Sequence, residues 1–412
     1  MEQHKIAKKY RLPDAALFCL LTALFFAVTL LLFHRQTTTV TESYKSDMMA
    51  YIREMLGTET KYSFPYPVFF KVGAFFHLFT KSPAFAIALA TAVLNVLALV
   101  ISKLSLNTFC ASEKKPLLSR VLVTATVFAL FLSSMLYLRP MPKLGISWNY
   151  LGVFSPTPWH NATYLAARPF MILAFLWGAK LLDRYEQVRT LRDLRENGRD
   201  YALFSAFLLL ATMTKPSYTI VHLGAAGLIM VWRFLRSKGQ NLVSSLYLGL
   251  CYLPTFADLL YQYRGVFVPE SGAEGGIGFG FLTVWSQYTR NLPCAILQAV
   301  CFPLVVLWFH KKELQTHTRL RFSWQIWLMG FAMAALLYEK GFRIYDFNFS
   351  WGYMCGIFLV FFTSGEMLIR DLLTGKDRRQ RLFALAEALA LAAHLCCGIR
   401  YFLTLLSGEI YY

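Results

Sequence analysis

Long apolar runs of about 18 to 22 residues recur along this chain, the length a helix needs to cross the hydrocarbon core of a bilayer. They cover residues 14–33, 83–104, 117–138, 162–182, 201–214, 216–235, 241–262, 291–310, 322–338, 351–369 and 383–405. The pattern predicts an all-α, polytopic membrane protein of about 11 transmembrane helices in a single integral-membrane domain, residues 1–412. Run 201–214 is short and passes almost directly into the next through Lys215-Pro216. It is kept as a span because without it the basic residues of all later loops change sides. Segment 65–79, PYPVFFKVGAFFHLF, carries Lys71 and is too short to span, so it reads as re-entrant or interfacial. It lies in the stretch 34–82, read as an outer loop. There Met48, Tyr51, Ile52 and Met55 recur at helical spacing. An amphipathic interfacial helix over Asp47–Leu56 follows, capped by Ser46 or Asp47 and stopped by Gly57. No internal repeat is visible.

Composition agrees with the runs. Of 412 residues 57% are hydrophobic and only 16% charged, against about 25% charged in a soluble domain. The net charge of +18 is therefore a topology signal rather than a nucleic-acid footprint. With the N-terminus inside, the basic clusters Lys5–Arg11, Lys114–Arg120, Arg184–Arg199, Arg233–Lys238, Lys311–Arg321 and Arg370–Arg381 all fall inside, and the C-terminal SGEIYY falls outside. The first run follows a basic segment without a small-residue cleavage site, which reads as a signal anchor. The eight cysteines form no C-x-x-C pair and read as small buried hydrophobes, with no disulfide framework and no zinc site.

The chemistry concentrates in the segments expected on the outer face. FSPTPWHNATYLAARPF, residues 154–170, holds Trp159, His160, Asn161 and Arg168 within ten positions. Arg168 lies inside a predicted span, where a charge costs about 2.5–3.5 kcal/mol and normally faces a cavity or a partner. Lys215 sits in a minimal turn that needs no lysine. With Arg343 and His160 these cations are the groups that would converge on a phosphate, Arg as a fork and Lys as a point charge. Segment YEKGFRIYDFNFSWGY adds Glu339, Asp346, Asn348 and Trp351. Carboxylates and amides beside aromatics suit a sugar, although Glu339 and Asp346 can equally pair with Lys340 and Arg343. Asp47, at the start of the interfacial helix, is either a helix cap or a carboxylate placed as general base; Glu42 is the alternative, and Glu54 and Glu59 are less well placed. Asn161-Ala-Thr163 and Asn348-Phe-Ser350 match the glycosylation sequon but lie against the membrane. The Gly-rich 263–290 loop reads as a mobile lid or a linker. No H-E-x-x-H, D-x-D, P-loop or Rossmann pattern occurs.

An acidic residue in the first outer loop, interfacial helices after it and about eleven spans with polar outer loops resemble the GT-C class of integral-membrane glycosyltransferases. SPTPWHNATYLAARPF, TKPSY and EKGFRIYDFNFSWGY also look like motifs of bacterial membrane proteins of that kind from surface-polysaccharide loci. The resemblance implies a bacterial plasma-membrane enzyme with its active site outside, taking a polyprenyl-phosphate-linked sugar as donor and a glycan or lipid-linked acceptor. It gives Asp47 the role of catalytic base and makes Lys215, Arg343, Arg168 and His160 candidates for the lipid-phosphate site. Trp159, Asn161, Glu339, Asp346, Asn348 and Trp351 are the candidates for sugar or acceptor. Attack with a single base implies inversion; a divalent metal is possible but not indicated, and no other cofactor is implied. The alternatives are a polysaccharide polymerase or ligase and, from another class, a transporter or flippase for a lipid-linked sugar.

Overall fold

The protein was analysed as a computed structural model that describes residues 11–39, 43–136, 150–267, 276–375 and 377–409. Glu42 and residues 137–138 of the predicted third run lie outside the described residues. The helices of eight residues or more are α1 (Arg11–Thr38), α2 (Met48–Met55), α3 (Val68–Thr80), α4 (Pro83–Phe109), α5 (Pro116–Leu132), α6 (Ala162–Arg184) and α7 (Leu191–Thr214). They continue with α8 (Ser217–Arg236), α9 (Leu242–Leu250), α10 (Leu253–Phe267), α11 (Leu292–His310), α12 (Thr318–Leu336), α13 (Ser350–Thr374) and α14 (Arg378–Leu406). Two short strands, β1 (Ile277–Phe279) and β2 (Leu337–Glu339), pair antiparallel.

Among the described residues seven helices are long and apolar enough to cross a membrane, or eight if the bent pair α9–α10 is one span. The chain is an integral membrane protein. Large apolar side chains on its outer surface, such as Leu20, Leu24, Phe79 and Trp232, find their solvent in lipid.

The predicted runs differ from the helices in instructive places. Run 201–214 is the apolar end of the longer helix α7, which a reciprocal cap starts at Thr190: its hydroxyl accepts from Asp193 N–H, and the Asp193 carboxylate accepts from Thr190 N–H. Run 241–262 breaks at Cys251-Tyr252, and its halves meet at 52°. Run 117–138 ends as helix at Leu132, where Ser133 turns extended. The cysteines do not all behave as buried hydrophobes: Cys110 and Cys355 are buried, but Cys19 and Cys396 are exposed.

The bundle is built around α13. Its apolar window is 100% buried, whereas that of α1 is 22% buried and faces outward. Lipid tails give no hydrophobic reward for helix association, so the inner pair relies on close contact through small residues. A Cβ added at Gly330 of α12 would stand 2.7 Å from the Tyr353 Cα, and one at Gly356 of α13 would stand 2.6 Å from the Trp327 Cα. α11 kinks at Val300, three residues before Pro303. His394 of α14 steadies the kink: Nδ1 donates to the Ser134 carbonyl at 2.7 Å, leaving Nε2 to accept from Phe302 N–H at 3.3 Å.

Polar side chains collect at the two ends. At one end Asp14 of α1 meets Lys103 of α4 at 2.9 Å, and Glu366 of α13 holds Arg319 of α12 and His317, which caps its start. The opposite end carries α2, α3 and the starts of α6, α8 and α13. The candidate site lies there.

Candidate functional site

α2 presents Met48, Tyr51 and Ile52 to the bundle and leaves Asp47 at its start. The carboxylate does not cap the helix. Ser46 Oγ takes the Met48 N–H at 3.4 Å, and Asp47 makes no side-chain cap bond. Instead Asp47 Oδ2 accepts from Asn161 Nδ2 at 2.7 Å and from the Tyr51 hydroxyl at 3.3 Å. Its backbone N–H reaches the His160 carbonyl at 3.4 Å. Gly57, at φ +69°, follows the end of α2 as the stop.

Asn161 is the junction. Its Oδ1 caps α6 by accepting from Tyr164 N–H at 3.0 Å and also accepts from Thr163 Oγ1 at 3.0 Å. With Nδ2 committed to Asp47, both ends of the amide are used and the side chain is buried. Such a sequon is no acceptor for a glycan.

Thr163 carries the network on. Its hydroxyl lies 3.2 Å from the Tyr51 hydroxyl and accepts from Lys215 Nζ at 3.1 Å. Lys215 stands in the turn between α7 and α8, with Nζ 4.7 Å from the Trp351 ring centre. Burial lowers its pKa to about 8, against the opposing pull of Asp47. His160 lies 5.9 Å from the same indole, and burial lowers its imidazole to about 4, so it is neutral at neutral pH.

The segment after α12 forms the other wall. Arg343 Nε sits 3.4 Å from Glu339 and 3.3 Å from Asp346, and Asn348 Nδ2 donates to Glu339 at 2.8 Å. Both acids therefore pair with Arg343. Lys215, Arg343, Glu339, Asn348 and Trp351 line one cavity of about 390 Å³, together with Ser63 and Tyr66 of the first loop and apolar Ile220, Val221, Leu259, Met333 and Leu337. Charged side chains beside apolar ones in one cavity suit an amphiphile with an anionic head.

Part of the Gly-rich segment is anchored rather than loose. Ile277 pairs with Glu339 and Gly278 with Tyr338, which brings Ile277 to the cavity wall. The Tyr338 ring crosses the strand so closely that a Cβ at Gly278 would lie 2.3 Å from it.

Six predicted residues do not line this cavity: Asp47, His160 and Asn161, which form the network beside it, and Arg168, Trp159 and Asp346. Arg168 is fully buried; it donates to the Pro156 carbonyl and to Thr157 Oγ1, and its guanidinium stacks 4.6 Å from the Phe358 ring centre. It pins the 154–158 segment to the bundle. Trp159 is fully buried against Phe25, Phe33 and Phe402. Asp346 pairs with Arg343, is exposed, and does not line the cavity. Sequence reasoning missed Tyr51, Thr163 and Tyr66. Tyr51 looked like one more member of the apolar face, and Thr163 looked like the third position of a sequon.

Comparison with family models, with curated proteins and with solved structures returns no match.

Proposed function

We propose that the protein is a membrane glycosyltransferase that moves a sugar from a polyprenyl-phosphate donor to an acceptor hydroxyl. The observation that carries the reading is the link from Asp47 through Asn161 and Thr163 to Lys215, which lines an amphiphilic cavity. A carboxylate held by two donors is fixed in direction while its exposed side remains open to an acceptor. The lipid enters along the apolar slot between α8 and α12. Its phosphate meets Lys215, with Arg343 on the facing wall. The acceptor oxygen attacks the anomeric carbon as Asp47 takes its proton, the glycosidic bond to phosphate breaks, and the leaving phosphate is stabilised by the cations. Attack opposite the leaving group inverts the anomeric carbon. Arg168 and Trp159 serve as packing; Glu339 and Asp346 orient Arg343, and Trp351, Asn348 and Glu339 are the sugar-facing groups.

The reading includes the topology. Contacts join α1, α4, α5, α12 and α13 at matching ends, and α7 meets α6 through Lys180–Asp200 at one end and Lys215–Thr163 at the other, which supports α5, α7 and α12 as further crossings and eleven in all. Among the described residues the basic clusters Lys114–Arg120, Arg184–Arg199, Arg233–Lys238 and Lys311–Arg321 sit at the end away from Asp47, so in this reading that end faces the cytoplasm and the site faces outside.

The test is donor binding. Purified protein in lipid nanodiscs is titrated with polyprenyl phosphate. Lys215→Ala and Arg343→Ala each weaken binding roughly tenfold or more, the scale of a lost charged contact. Wild-type affinity in both variants refutes the phosphate site.

A further inference from the structure

At the end of the bundle opposite Asp47, three helices bring a second polar cluster together. His310 ends α11, Asp371 lies near the end of α13, and Glu387 lies in α14. His310 Nε2 stands 3.1 Å from Asp371 Oδ2 and 3.1 Å from Glu387 Oε1. Its other nitrogen, Nδ1, lies 2.9 Å from Glu313 Oε1, and Glu313 pairs in turn with Arg370.

The protein's own hydrogen bonds leave this cluster incomplete. One N–H at Nε2 points in one direction and cannot serve two carboxylates. The side chain of Glu387 has no exposure, and its Oε2 has no hydrogen-bond partner among the described residues. A buried carboxylate oxygen without a donor is costly. Three carboxylates against one guanidinium leave two negative charges when the imidazole is neutral. The C-terminal ends of α11 and α13 add their own negative dipole ends to the same place.

We propose that His310 Nε2, Asp371 and Glu387 bind one divalent transition-metal cation, of the class represented by zinc or manganese. The ligand atoms all lie within 4.8 Å of one another. A tetrahedral ion with bonds of about 2.0–2.2 Å separates its ligand atoms by about 3.3–3.6 Å, close to the 3.1 Å seen from Nε2 to each carboxylate. One nitrogen and carboxylate oxygens are a donor set for zinc or manganese rather than for calcium. Glu313 fixes the ring by accepting from Nδ1–H, the outer carboxylate of a carboxylate–histidine–metal arrangement. The ion fastens α11, α13 and α14 at the end remote from the sugar chemistry, so its role is structural.

The test uses the full-length protein in detergent. It is stripped with a chelator, passed into metal-free buffer and titrated separately with zinc and with manganese. Bound metal is counted by elemental analysis, and manganese is also followed by electron paramagnetic resonance. The wild type should bind one equivalent. Glu387→Gln, which keeps shape and hydrogen-bonding capacity, should lower affinity at least about tenfold, and His310→Gln should do the same. Chelation should lower the thermal unfolding temperature of the wild type and leave that of Glu387→Gln unchanged. If His310→Gln fails to fold, Glu387→Gln decides alone. The same affinity in wild type and Glu387→Gln, or no binding by wild type, overturns the proposal and leaves His310 as an imidazolium held by three carboxylates.

Discussion

Asn161 offers the sharpest perturbation, because one side chain does two separable jobs. Its Oδ1 caps α6, and its Nδ2 holds Asp47. Asn161→Ala removes both. The lost cap costs about 0.5–2 kcal/mol, and the lost charge-assisted bond adds about 1–2 kcal/mol, less than a buried case because Asp47 is exposed. Asn161→Asp keeps the cap, since aspartate caps as well as asparagine. It replaces the donor at Asp47 with a second carboxylate, and two carboxylates in contact share a proton. Folding stability of Asn161→Asp should therefore fall by about 1–2 kcal/mol at neutral pH, the lost donor without the lost cap, while Asn161→Ala loses about 1.5–4 kcal/mol. Sugar transfer at pH 6 should fall in both, and in Asn161→Asp the acid limb of the rate–pH profile should move up by about one unit or more. The assays are thermal unfolding in detergent and release of polyprenyl phosphate across pH 5 to 9. Wild-type rate and pH profile in Asn161→Asp would refute the claim that this contact organises the chemistry.

Other outcomes follow from the same geometry. Lys215 is charged only below about 8, so donor affinity should fall as pH rises through that value; Lys215→Arg, which stays charged, should flatten the dependence between pH 7 and 10 in a donor-binding titration. Arg168→Met should reduce the yield of folded protein or its unfolding temperature, by about 3 kcal/mol or more for leaving a buried carbonyl and hydroxyl unserved, and should not alter donor affinity in whatever protein folds. Gly330→Val should abolish folding, because its side chain would meet the Tyr353 backbone; thermal unfolding and detergent gel filtration read it.

The spans were legible because lipid leaves helices little freedom: a long apolar run has one way to satisfy its backbone. What blurred was where polar and apolar signals overlap. Residues 191–200 belong to the basic cluster Arg184–Arg199 placed in an inside loop, but the Thr190–Asp193 cap starts a helix that continues unbroken to Thr214. Ile277–Phe279 gave no strand signal, because its partner Leu337–Glu339 is some sixty positions away and itself sits at the end of an apolar run.

The site was legible in its members more than in its wiring. Asp47, Asn161, Lys215, Arg343 and Trp351 all stand at one end of the bundle. Thr163 and Tyr51, which join them, escaped notice because their partners are 112 positions apart in sequence. Arg168 shows the opposite failure. A cation one and a half turns inside a span must have a partner, but sequence does not say whether that partner is a ligand or the protein's own carbonyls. Here it is Pro156 and Thr157.

The most direct measurement of the central claim is sugar transfer by Asp47→Asn, made beside donor binding on the same preparation in nanodiscs with a polyprenyl-phosphate sugar and its acceptor. Removing a general base costs roughly 100- to 10,000-fold in rate, while Lys215 and Arg343 both keep their places in the cavity wall. The account predicts that loss of turnover with polyprenyl-phosphate affinity within about threefold of wild type, well under the tenfold scale of a lost charged contact. Transfer at the wild-type rate by Asp47→Asn contradicts it.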